Sequence, residues 1–149
     1  MKLNNRFQGL RGIEAGINKN LFLICSGVTI VAMLMITLEF FTRGAFPPTR
    51  MNLFYLGVLI IYSLHKEMVR WLGKRKIERQ GEHFVYSWIG LTTLFYIINF
   101  LTKNYFSYSA GGEPLATLKE LTILTLEVLG IFIFTRCLKI LKVLLVKPK

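Results

Sequence analysis

All eight acidic residues are glutamates, set against nineteen Lys and Arg, and one of them lies where an acid is hardest to keep. Glu127 interrupts the apolar run "LKELTILTLEVLGIFIFT" nine residues past Leu118, about 14 Å along a helix rising 1.5 Å per residue. An ionisable group at mid-bilayer costs about 2.5–3.5 kcal/mol on insertion scales and normally faces the interior of a bundle. Thr92, Thr93 and Tyr96, in the preceding apolar block, reach comparable depth and have hydroxyls to offer. The spacing therefore predicts Glu127 hydrogen-bonded to one of these three, either as a lock between two helices or as a group in a transport path. Glu39 and Asn99 stand near the ends of their own apolar blocks, where they read as caps on the mouth of a bundle.

The second pattern is cationic. "LHKEMVRWLGKRKIERQGEHF", residues 64–84, carries six of the nineteen basic residues. Lys66, Arg70 and Lys74 recur at i, i+4 and i+8, one face of a helix; Leu64, Met68, Trp71 and Leu72 make an apolar stripe on another. A cationic face beside an apolar face that holds a tryptophan suits a helix end leaning on anionic headgroups. Nucleic acid would use the same Lys and Arg but would not need the apolar stripe, so a nucleic-acid partner is not expected. Arg136 and Lys139, at the end of the last apolar block, are read in the same way, their stems in the acyl region and their charges among headgroups.

Patterns for catalysis are lacking. His65 and His83 lie eighteen positions apart without neighbouring metal ligands, and there is no phosphate loop, nucleophile elbow or HExxH. Ser63, Ser87 and Ser109 have no triad partners. Cys25 and Cys137 read as free thiols. The expectation is a non-enzymatic protein without metal or cofactor; were it a lipid-modifying enzyme, the two histidines would be the first residues to test.

Positioning these groups falls to four apolar blocks rather than to amphipathic helices around a water-facing core. Spans are expected at about 21–41, 49–70, 84–102 and 118–138, with a basic joint at about 66–83, all in one domain over 1–149. The second is the shortest, since "MNLFYLGVLIIYSL" gives fourteen largely apolar residues where a bilayer of about 30 Å asks for roughly twenty; Lys66 and Arg70 can snorkel to complete it. Placing both termini inside puts fifteen basic residues on the cytoplasmic side and four on the other, as the positive-inside rule asks. The first block is longer than a signal-peptide core and has no small-x-small cleavage pattern. Fold and location are thus expected to be an all-α, multi-pass protein of the cytoplasmic (inner) membrane: four transmembrane helices as two hairpins, N-in and C-in.

The hairpins echo each other. "EFFTR", residues 39–43, matches "NFLTK", residues 99–103, and "LGVLIIYSLHKEM" lies over "LEVLGIFIFTRCL", which sets Gly57 opposite Glu127 and Lys66 opposite Arg136. Both halves start on the same side, so a duplication would give parallel repeats about an axis along the membrane normal. In length, four spans and two-hairpin plan the chain resembles GtrA-like small membrane proteins. That resemblance implies a part in moving lipid-linked sugars, although "HKEMVRWL" stands where that family carries Asn-Arg-x-aromatic. Two functions follow as expectations. One is an accessory or structural subunit that binds anionic lipid on the cytoplasmic side, a second copy of itself or a membrane-protein partner. The other is a small transporter or flippase component with Glu127 in its pathway.

Overall fold

A computed structural model describes residues 2–47, 51–71 and 81–145, with side chains from residue 16 onward. The fold is an all-α four-helix bundle: α1 (Lys2–Phe41), α2 (Met51–Trp71), α3 (Glu82–Leu101) and α4 (Thr117–Leu145), with a 3₁₀ turn at Tyr105–Ser107 between the last two. The glycine-containing N-terminal stretch belongs to α1, which runs without a break from Lys2. α2, at 21 residues, is about 32 Å long at 1.5 Å per residue, so its helix extends well beyond the fourteen-residue apolar run.

α1 packs chiefly on α2, α3 on α4, and the two hairpins meet mainly along α2 and α4. Aromatic rings fill the space between α1 and α3. Phe40 stacks on Phe95 at 4.3 Å and on Phe106 at 4.7 Å, and Phe22 meets Phe84 at 5.8 Å between centroids. The indole of Trp88, fully buried, donates to the Tyr55 hydroxyl at 2.7 Å, so the one polar atom of the largest core side chain is satisfied within the core.

The loops that close the hairpins lie at one end of the bundle, and there the two halves are built alike. Gly44 N–H reaches back to Glu39 C=O at 2.9 Å, and Asn104 N–H to Asn99 C=O at 2.8 Å. Thr42 and Thr102 donate their hydroxyls to the carbonyls of Leu38 and Ile98. Each turn needs left-handed backbone, at Arg43 and Gly44 in one and at Lys103 and Asn104 in the other. Helix ends of this form expose carbonyls that a residue at positive φ lets the chain cap by itself. Glu39 and Asn99 thus hold equivalent places in geometry as well as in sequence.

Arg43 ties this end together. Its Nε donates to Tyr108 C=O at 2.7 Å and its Nη2 to Ser109 C=O at 2.5 Å, with the guanidinium 4.2 Å above the Tyr105 ring. A side chain on Gly44 would meet Leu115 at 2.6 Å, so the loop also seats directly against α1's end.

Two stretches, Gly16–Phe41 and Glu82–Leu101, are long and apolar enough to cross a membrane. Large apolar side chains stand exposed on all four helices, among them Leu23 and Leu34 on α1, Leu53 and Met68 on α2, Phe100 on α3 and Leu126 and Phe134 on α4.

Candidate functional site

α4 turns its buried face, Leu121, Leu124, Thr125 and Val128, into the bundle. Thr122 and Thr125 lie toward α3, and each is already partnered there. Thr92 and Thr125 share a hydrogen bond of 2.7 Å, and Tyr96 and Thr122 one of 2.8 Å. Glu127 is two residues beyond Thr125, about 200° around a helix of 3.6 residues per turn. It is exposed, and among the described residues it has no hydrogen-bond or ion-pair partner. The expected lock to Thr92, Thr93 or Tyr96 is therefore corrected. Those hydroxyls face other groups or, for Thr93, the outside, and the carboxyl lies on the exterior of α4.

What Glu127 does face is set by its own helix. Residues 127, 131, 134 and 138 fall at i, i+4, i+7 and i+11, a single stripe. Ile131, Phe134 and Leu138 of that stripe line a groove of about 280 Å³ between α4 and α2, opposite Ile60, Leu64 and Glu67. Gly130 leaves one wall low, with nothing within 4 Å of where a Cβ would stand. Glu127 continues this stripe one turn nearer the hairpin loops, beyond the residues that line the groove. Glu67 stands at the other end, 95 % buried, with Oε1 accepting from Arg70 and Oε2 buried without a partner. The groove is apolar along its length.

At the basic end of the bundle the cations are more enclosed than their spacing predicts. Lys66 is buried: its Nζ lies 3.4 Å from the Tyr62 hydroxyl and 5.6 Å from the centroid of that ring. It turns toward the start of α3, its Nζ 3.9 Å from where a Cβ on Gly81 would stand. This corrects the placement of Lys66 on an outward cationic stripe. On this end of α2 the apolar stripe, Leu64, Met68 and Trp71, faces out. Arg70 pairs with Glu67, Arg136 with Glu82, and Lys142 donates to the carbonyl of Arg70, which ties the ends of α2, α3 and α4 into one network. Arg136 also lies 4.8 Å above the Phe132 ring. Lys139 is exposed, and Lys74 falls outside the described residues.

The two remaining predicted positions are at the loop end. Glu39 is buried, and its Oε1 accepts from the Thr117 hydroxyl at 2.9 Å. Asn99 donates from Nδ2 to Asn104 Oδ1 and to Ser107 Oγ, both at 3.0 Å. His65 is half-buried on α2 and His83 exposed on α3; no group of three or more His, Cys or Glu able to hold a metal converges among the described residues.

Sequence reasoning missed the roles of Glu67, Arg43 and Glu82. The Glu67–Arg70 spacing of i, i+3 was a readable signal for a local pair. The links from Arg43 to the second loop and from Glu82 to Arg136 span more than fifty residues, and no local pattern carries them. No protein-family model, curated protein or solved structure matches the chain.

Proposed function

We propose that this chain is a four-span membrane protein, N-in and C-in, built from two parallel repeats, and that it works as a non-enzymatic subunit docking a partner within the bilayer. The carrying observation is the outward-facing Glu127, without a partner among the described residues, on a stretch of α4 whose exposed residues from 121 to 135 are otherwise apolar. A bundle complete in itself would have turned that acid inward, as it does with Glu39.

Immersion of all four helices is supported by what they expose. The apolar windows of α1 and α3 are only 22 % and 28 % buried, whereas a core helix of a water-soluble protein would be mostly covered. α4 has eighteen residues from Leu121 to Leu138 with two charged side chains, Glu127 and Arg136, enough to cross roughly 27 Å at 1.5 Å per residue. The matching turns after α1 and α3 support the duplication. Lys139 is exposed, and the network of Arg70, Arg136 and Lys142 sits where anionic headgroups of the cytoplasmic leaflet would lie, although Arg70 and Arg136 are already paired with Glu67 and Glu82; an unpaired cation near such a surface contributes about 1 kcal/mol. A transport path through the interior of one copy is less well served, because Glu127 lies outside that interior.

Topology and association test the reading together. An impermeant thiol reagent should label Gly111→Cys from outside intact cells and leave Gly73→Cys unlabelled. In mild detergent the wild-type protein should migrate in an assembly larger than its own 17.2 kDa chain, and Glu127→Leu should release it. Labelling of Gly73→Cys from outside refutes the topology. An assembly indifferent to Glu127→Leu, or none at all, refutes the docking role.

A further inference from the structure

Lys66 is a buried cation, and no carboxylate among the described residues forms an ion pair with it. Its ammonium has three protons to donate. The one acceptor it meets is the neutral Tyr62 hydroxyl at 3.4 Å, long for a hydrogen bond. Glu67, the next residue, points about 100° away around the helix and pairs with Arg70, while Glu82 pairs with Arg136. Arg70 and Arg136 lie close enough to repel the ammonium. Tyr62 is 2 % exposed, and its hydroxyl accepts from Lys66 while its own proton finds no acceptor among the described residues. The rings of Phe22, Tyr62 and Phe84 pack beside them with centroids 5.8 to 6.2 Å apart, so this side of the bundle interior is apolar.

The ammonium is aimed at the start of α3. Nζ lies 3.9 Å from where a Cβ on Gly81 would stand, and no other described atom comes within 4 Å of that point. Gly81 opens α3 without a side-chain cap. The first N–H groups of the helix, from Glu82 onward, therefore have no acceptor within it and carry the positive end of its dipole. Gly81 is half-buried and His83 exposed, so the space is reached from outside the bundle. An ammonium, a phenol proton and backbone amides meet here as donors, with an excess of positive charge. We infer that this is a phosphate-binding site, in which a phosphate oxygen sits between Lys66 Nζ and the first turn of α3, with the Tyr62 hydroxyl donating to the same group. Phosphate suits the donor set because its anionic oxygens are arrayed tetrahedrally and can be shared by donors arriving from two helices. The oxygens come from the headgroup of an anionic lipid or from free phosphate, and the chemistry is the same. Glu127 takes no part, so the site stands or falls apart from the docking role.

The test uses the full-length protein, stripped of lipid in maltoside micelles, with dioleoylphosphatidylglycerol, the matching diacylglycerol and inorganic phosphate as probes. Native mass spectrometry counts the lipid retained, and phosphorus NMR line broadening follows the free anion. One phosphatidylglycerol should be held per chain and the diacylglycerol should not. Lys66→Met should weaken retention about tenfold or more and Tyr62→Phe about threefold, as for loss of hydrogen bonds to a charged group. Lys119→Met, exposed at the opposite end of the bundle, should leave it unchanged. Inorganic phosphate that binds, competes with the lipid and is lost in Lys66→Met supports the site with a water-borne source; lipid retained against excess phosphate supports it with a membrane source. Equal retention of lipid and diacylglycerol, equal effects of Lys66→Met and Lys119→Met, or displacement by chloride as readily as by phosphate overturns the inference. If Lys66→Met does not accumulate as a helical protein, Tyr62→Phe decides, and an unchanged affinity in that variant overturns it.

Discussion

Glu39 and Glu127 are the lone charged residues of the apolar stretches 21–41 and 121–135, and the molecule treats them in opposite ways. Glu39, 8 % exposed, lies where α1 meets the start of α4, and Thr117 supplies the hydroxyl it needs. Around it are the stacked rings of Phe40, Phe95 and Phe106 and the loop held by Arg43. Glu127 stands on the opposite kind of surface, exposed on the outside of α4 and without a partner among the described residues. The contrast separates two uses of a polar group in an apolar setting. A carboxyl enclosed by its own fold helps to fix that fold; one left unanswered on the outside carries its need for a partner to whatever binds next.

The comparison breaks most visibly at the aromatic stack. Phe40→Ala empties the centre of the loop end and should cost about 3 kcal/mol, read as a lower midpoint in denaturant titrations of the detergent-solubilised protein. Next comes the enclosed acid. Glu39→Leu leaves the buried Thr117 hydroxyl without its acceptor and should cost about 1 kcal/mol, the scale of polar contacts between membrane helices. Glu39→Gln keeps an acceptor oxygen and should recover most of that loss. An equal loss in both variants would mean that the carboxylate charge, rather than the hydrogen bond, holds this end.

Glu127 should give the smallest effect on stability. In the protein purified alone, Glu127→Leu should change the unfolding midpoint by no more than about 0.5 kcal/mol, as for substitutions away from the packed interior, while association falls. A loss as large as that of Glu39→Leu would put Glu127 among the structural groups and remove the contrast.

How far the sequence discloses this arrangement depends on the range over which each signal acts. The helices follow from the length of the apolar blocks, and the equivalence of Glu39 and Asn99 from the pairing of "EFFTR" with "NFLTK". Both are local patterns that backbone hydrogen bonding turns directly into structure. The orientation of Glu127 was half-visible. Thr122 and Thr125 already mark the α3-facing side of α4, and a residue two positions past Thr125 has to point elsewhere. Spacing from Leu118 fixes only the depth of Glu127 along the helix; the face it takes depends on rotation about the axis. The burial of Lys66 was hidden for another reason. A stripe at i, i+4 and i+8 states which residues share a face, but which face packs inward is decided by neighbours such as Tyr62 and Gly81, brought together only in the folded bundle.

The central claim is that Glu127 faces the hydrocarbon side of an immersed bundle until a partner covers it. A spin label at Glu127→Cys, in a Cys25→Ser, Cys137→Ser background reconstituted into nanodiscs, measures this directly through collision rates with oxygen and with a water-soluble nickel chelate. The account predicts high oxygen and low nickel accessibility at 127, matching a label at exposed Leu126, with a label at buried Val128 shielded from both. Low oxygen accessibility at 127 in the isolated protein, or nickel accessibility above that at Leu126, would contradict it, since the acid would then lie in the packed interior or in a water-filled path.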